Sequence, residues 1–226
     1  MASLLTSERP ALSILRLLPR FGKAISGAAN ELLECYDGAV VGLETLAERV
    51  RPLQRVEYDR IVDLGLLANE KVELIKGFIV RMNPQNVRHA AVVQKLTHLF
   101  VLALVASARA AVRVQLPLAL TDDSEPEPDI AVVPTGSYED SHPNTALLVI
   151  EVADSSLRFD RGHKAELYAA GGVPEYWIVD TRHDLIEVHA DIVDGSYSRV
   201  TPYRRGQSVS PAAFSDLIVQ VDEILG

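Results

Sequence analysis

One stretch constrains the fold more than any other. The run Ala146 to Val152 is apolar at every position except Glu151. A strand with one wet face alternates apolar and polar residues, whereas an unbroken apolar run predicts a central strand covered on both faces. Covering both faces requires helices above and below a sheet, so the expected class is α/β or α+β. Glu151 is then out of place. A carboxylate near the end of such a strand is costly to bury unless it is paired or metal-bound.

Other elements are legible around this strand. Tyr58 to Leu66 predicts a short helix. Val72 to Ile75, Lys76-Gly77 and Phe78 to Val80 predict a hairpin with a glycine turn. Asn86 is positioned to cap a long helix whose apolar stripe includes Val93, Leu96, Phe100 and Leu104. Val112 to Leu120 and Ile130 to Val133 are expected strands, the second following Pro126-Glu127-Pro128-Asp129. Asp160 is expected to cap a helix ending at Gly171-Gly172. Strands follow at Glu175 to Val179, Leu185 to His189 and Tyr197 to Tyr203. The chain closes with Phe214, Leu217, Val219 and a short turn at Val221 to Leu225. Residues 1–52 differ in rhythm and predict a helical N-terminal extension, with Pro52 at the boundary of a domain over 53–226.

Composition narrows the function classes. The 226 residues carry a formal net charge of -9, so non-specific nucleic-acid binding would need a local basic cleft on an acidic body. Arg81 with Arg88, Arg158 with Arg161 and Lys164, and Arg204 with Arg205 are the places to look for one. A single cysteine, Cys35, excludes an intrachain disulfide and a cysteine-rich zinc site, and fits a reducing, cytoplasmic compartment. No apolar run is long enough to span a bilayer, and Arg16, Pro19 and Arg20 break the pattern of a secretion signal.

Asp129 stands at the mouth of a strand and Glu151 at the end of another. If those strands are neighbours, both carboxylates face one cleft, where hard oxygen ligands suit Mg2+, or Mn2+, and a phosphate substrate. Lys164, on the following helix, leans toward the helix N-terminus and so back toward Glu151. Each residue has a plainer reading. Asp129 fits a turn, Glu151 fits an ion pair with Arg158 or Arg161, and Lys164 and Glu73 fit a solvated surface. Only the combination shifts the reading toward a metal and phosphate site, and the plainer readings stay open beside it.

Val72-Glu73-Leu74-Ile75-Lys76-Gly77, Glu127-Pro128-Asp129-Ile130 and Ile150-Glu151-Val152-Ala153-Asp154-Ser155-Ser156 form an ordered series. It continues through Asp160, Lys164, Tyr168 and Pro174-Glu175-Tyr176-Trp177-Ile178-Val179-Asp180. The series resembles the Uma-type "putative restriction endonuclease" family, a bacterial group within the PD-(D/E)XK nuclease superfamily, over about residues 53–226. The resemblance implies a restriction-endonuclease-like core. It implies Asp129 and Glu151 as metal ligands, Glu73 as a further acidic site residue, and Lys164 as the catalytic lysine. The superfamily's usual lysine position, two residues after the second acid, holds Ala153 here. His89 also matches a family position, and Arg88, His89 and Arg161 are candidate DNA contacts. The expected activity is Mg2+-dependent hydrolysis of DNA by a homodimer, with the apolar Tyr176-Trp177-Ile178 strand as candidate dimer surface. The alternatives are a non-catalytic nucleic-acid-binding or protein-interaction module on the same fold, and a phosphohydrolase with another substrate.

Overall fold

The computed structural model describes residues 50–226. Nearly all of the expected N-terminal helical extension therefore lies outside the described residues. Arg51–Gly226 forms one compact unit. Among the described residues no helix is long and apolar enough to cross a membrane.

The centre is a six-stranded sheet in the order β3-β4-β5-β6-β7-β8. The strands are β3 (Ala111–Val114), β4 (Ile130–Val133), β5 (Leu148–Ala153), β6 (Glu175–Asp180), β7 (Leu185–Val193) and β8 (Ser196–Arg204). Only β5 and β6 run parallel; every other neighbouring pair is antiparallel. A parallel pair needs a crossover, and a helical segment over 157–170 supplies it. Before the sheet come α1 (Arg55–Asp63), a hairpin of β1 (Val72–Ile75) and β2 (Phe78–Arg81), and α2 (Val87–Phe100) with a π-helical extension over Val101–Val105.

β4, β5 and β6 are buried at every position, as the apolar runs require. Alternation then sorts their side chains. Leu148, Ile150 and Val152 join Trp177 and Val179 against Val92, Leu96, Phe100 and Leu104, which project from α2 and its extension. Phe100 meets Trp177 edge to face with ring centroids 6.2 Å apart, the favoured aromatic geometry. On the other side Val149 and Ala153 pack with Ala131, Val133, Tyr176 and Ile178 against Ala165 and Tyr168 of the crossover. Glu151 lies between Val149 and Ala153 in that alternation, so it points at the crossover helix.

Turn chemistry explains the hairpin. Lys76 and Gly77 both have positive φ, 50° and 77°, as the tight two-residue turn requires. Gly77 is also sterically obligatory, because a Cβ there would lie 2.2 Å from Pro52 Cβ. Asn86 caps α2, its side chain accepting from the His89 backbone N–H at 2.9 Å.

Three expectations change. The strand expected over 112–120 stops at Val114, because Gln115 takes φ 51° and turns its N–H to the carbonyls of Pro128 and Asp129. The crossover helix begins at Leu157 rather than near Asp160, so Asp160 is inside it and buried, and Lys164 falls in its second turn. Tyr176, Trp177 and Ile178 are wholly buried core, which removes them as a dimer surface.

Candidate active site

Register brings the two expected metal ligands together. β4 and β5 are antiparallel with Ile130 opposite Ile150 and Ala131 opposite Val149. Continuing that ladder by one residue sets Asp129 opposite Glu151. The backbone N–H of Asp129 donates to Glu151 Oε2 at 3.2 Å, and the N–H of Val152 donates to Asp129 Oδ2 at 2.8 Å. Each carboxylate is thus held by the backbone of the other's strand, which fixes both at one end of the sheet.

The crossover helix closes the site from above. It runs through α3 (Leu157–Phe159), a π-helical turn at Asp160–Lys164 and α4 (Ala165–Ala170). Asp160, Lys164 and Tyr168 follow the i, i+4, i+8 rule and are all buried. Lys164 Nζ donates to Glu151 Oε1 at 3.1 Å and to Glu73 Oε2 at 2.5 Å. Tyr168 donates its hydroxyl proton to Glu151 Oε1 at 2.7 Å. Glu73, on β1, also accepts the Glu127 backbone N–H at 3.1 Å. The hairpin therefore delivers a third carboxylate, buried rather than solvated. From α2, His89 Nε2 stands 3.0 Å from Asp129 Oδ2, while Gln115 Nε2 donates to Asp129 Oδ1 at 3.2 Å.

All four expected residues, Glu73, Asp129, Glu151 and Lys164, meet in one cluster, with His89 beside it. Arg88 and Arg161 do not touch the cluster. Arg88 pairs with Asp184, and Arg161 forms a two-pronged pair with Glu187 at 2.6 and 2.9 Å. Asp160, Tyr168 and Gln115 belong to the surroundings of the site as well; the sequence predicts a helix cap at Asp160 and assigns no site role to any of the three. The four-residue spacing of Asp160, Lys164 and Tyr168 was the available signal for two of them.

The electrostatics are lopsided. Four buried carboxyl groups, Glu73, Asp129, Glu151 and Asp160, share this region with one buried ammonium, which bonds directly to Glu73 and Glu151. Burial pushes Glu151 up to about 8 against the pull of Lys164, and Asp129, Asp160 and Glu73 push the same way. Burial likewise pushes Asp160 up to about 6, and one of its oxygens, Oδ2, has no hydrogen-bond partner. Lys164 moves oppositely to a buried lysine left alone: burial lowers it, but Glu151 and Glu73 outweigh that and hold it charged. An excess of buried negative charge can be relieved by protons or by a cation.

Oxygen donors of this kind are those a divalent ion takes. Asp129 and Glu151 offer hard oxygen donors, and Asp160 Oδ2 is a buried acceptor with nothing to accept. Among the described residues no three His, Cys, Asp or Glu side chains are already grouped as a metal site. Magnesium does not demand such a group, since it commonly takes one or two carboxylates and fills its remaining positions with water and phosphate.

The model of the Uma2 family, described as "Putative restriction endonuclease", matches residues 56–222. The chain belongs to that family. The match spans the hairpin, both carboxylate-bearing strand ends and the crossover helix. A solved structure from Anabaena variabilis, described as a putative nuclease belonging to DUF820, is similar at a TM-score of 0.55 and 15% identity, covering 68% of this chain and 89% of that one. At that identity the likeness shows the fold alone. No curated protein matches the chain.

Proposed function

We propose that this Uma2 member is a Mg2+-dependent nuclease that hydrolyses phosphodiester bonds in DNA. The observation that carries the reading is the gathering of Glu73, Asp129, Glu151 and Asp160 around Lys164 at the β4–β5 end. A purely structural cluster would pair its charges, whereas here carboxylates outnumber the cation. Membership in a family described as "Putative restriction endonuclease" supports the same reading.

Asp129 and Glu151 would hold the ion, which when bound supplies positive charge beside a phosphate and acidifies a bound water. The protein's own residues arrange the rest. Tyr168 and Lys164 fix Glu151 Oε1, and the Asp129 N–H fixes Oε2. His89 and Gln115 bracket the Asp129 carboxylate. Glu73, from the hairpin, anchors Lys164. An ammonium has three donors, and two are engaged, so one N–H remains for a water or a phosphate oxygen. Holding that proton in place stabilises negative charge as it develops on phosphorus-bound oxygen.

Incubation of the purified chain with duplex and single-stranded DNA and with RNA, under magnesium, manganese or chelator, tests the reading. Metal-dependent cleavage of DNA that Asp129→Asn abolishes is the expected result. Tight binding without cleavage in any metal would instead favour a non-catalytic module. We also propose a homodimer, which would present two such sites to the two strands of a duplex; its surface must lie elsewhere than the buried Tyr176–Ile178 strand. Light scattering that returns a monomer mass at high protein concentration would overturn it.

A further inference from the structure

The crossover helix that turns Asp160, Lys164 and Tyr168 inward carries Arg158 and Arg161 on its outer side, both exposed. These two arginines line a cleft of about 550 Å³ together with Arg182 and His183, from the turn between β6 and β7, and Asp154, from the loop after β5. Of its three arginines, Arg161 is paired with Glu187 and Asp180 and Arg182 with the lining carboxylate Asp154, which leaves Arg158 as the uncompensated charge among the described residues, in a chain whose formal charge is -9. Local positive charge on an acidic body is what phosphate attracts.

The cleft is also built rather than accidental. Asp180, at the end of β6, has a side chain only 1% exposed. It accepts the backbone N–H groups of Arg182 and His183 at 3.0 and 3.1 Å, and its other oxygen lies 2.7 Å from His183 Nδ1. One buried carboxylate thus fixes both the turn and the ring. Across the cleft, Arg182 Nε donates to Asp154 at 2.7 Å, and Asp154 also accepts from Asn86 Nδ2 at 2.7 Å. The loop that follows the Glu151 strand is therefore tied to the cap of α2 on one side and to the cleft on the other. Arg158 forms no hydrogen bond or ion pair among the described residues. Its guanidinium is the uncommitted fork at the mouth, and Arg161 and Arg182 stay 45% and 57% exposed while paired.

We propose that this cleft is a phosphate-binding subsite that seats a backbone phosphate of the nucleic acid flanking the scissile one. Arg158 supplies the two-pronged contact and Arg182 the second charge. The proposal rests on the nuclease reading for its ligand, and the shared helix explains its place: one element holds a backbone phosphate with its outer side while its inner side serves the carboxylates. A phosphate contact of this kind positions the strand and carries no base specificity.

The test separates this subsite from the nuclease reading. Binding of a fluorescent DNA duplex is measured by anisotropy in chelator, so that no turnover occurs, across a series of salt concentrations. Arg158→Ala and Arg182→Ala should each weaken binding several-fold and lower the salt slope by about one, and the double variant by about two. Arg199→Ala, which breaks an exposed pair with Asp191 on the β7–β8 hairpin, should leave the slope unchanged. Melting temperatures of the exposed-arginine variants confirm folding. Wild-type affinity and slope in the double variant would overturn the subsite, as would absence of DNA binding by the wild type. Cleavage by the wild type in magnesium is read separately. Cleavage with an arginine-independent slope sinks the subsite alone, and an arginine-dependent slope without cleavage sinks the nuclease reading alone.

Discussion

The two faces of the crossover helix hold the same motif in opposite settings. Inside, Lys164 bridges Glu73 and Glu151 with its side chain 5% exposed. Outside, three residues earlier, Arg161 bridges Glu187 and Asp180 with its side chain 45% exposed. Each is one cation between two carboxylates. In water such a pair gains little, because solvent screens it and side-chain entropy opposes it. In a dry interior each ion loses its hydration, and removing one partner strands the other. The difference teaches that burial of the cation, not pairing, sets the inner cluster apart.

The largest expected effect lies with the inner carboxylates. Asp129→Asn and Glu151→Gln should each lower cleavage by more than about a hundredfold and weaken magnesium binding, while leaving the sheet intact. Calorimetry that returned wild-type magnesium affinity in both variants would remove these residues as ligands.

Lys164 comes next. Lys164→Ala should cost on the order of a hundredfold in rate and about 3 kcal/mol in stability, since Glu73 and Glu151 would be left buried without their cation. Adding Glu73→Gln should recover part of the stability and none of the rate. If the double variant regained activity, Lys164 would be a structural ion only. If the single variant were fully active, the cationic role would pass to another group.

How much of this is legible in the sequence depends on how local the cause is. The Lys76-Gly77 turn, the Asn86 cap and the buried β5 strand each follow from a few adjacent residues, and the structure has all three. That β4 and β5 adjoin, and so face Asp129 with Glu151, is a matter of topology, legible only as a condition and met by the register. What was not legible depended on distant partners. β3 ends at Gln115 because its N–H finds the carbonyls of Pro128 and Asp129. Asp160 has the chemistry of a helix cap, but three residues of helix precede it and carry it into the interior. The apolar Tyr176-Trp177-Ile178 run suits an interface or a core equally well, and only the packed layers on both sides of β6 decide for core.

A smaller effect should appear at Asp160 as a pH dependence. Burial raises its carboxyl from the usual carboxylate range to about 6, so the folded protein binds that proton more tightly than the unfolded chain does. The associated stability is fully present below about pH 4 and is lost as pH rises through 6. Asp160→Asn removes the penalty. The variant should match the wild type near pH 4 and exceed it at pH 7 by on the order of 2 kcal/mol. Urea titrations at pH 4, 5, 6 and 7 check this, and a constant difference across the series would mean that Asp160 does not titrate in that window.

The smallest effect belongs to the outer cation, and it is the sharpest check on the comparison. Arg161→Ala breaks the two-pronged pair with Glu187 and the longer contact with Asp180 at 3.7 Å. Glu187, its side chain 12% exposed, keeps partial access to water. Asp180 keeps the two backbone N–H groups and the His183 ring that already satisfy it. The expected loss is therefore within about 1 kcal/mol, and it should shrink further in high salt. Arg161 touches none of the inner carboxylates, so any change in DNA cleavage should trace to weaker seating in the cleft it lines. Denaturant midpoints at low and high salt, with single-turnover cleavage alongside, measure both. A loss as large as that of Lys164→Ala would show that Asp180 depends on Arg161 as Glu151 depends on Lys164. Exposure of the cation would then be a poor guide to what its carboxylates need.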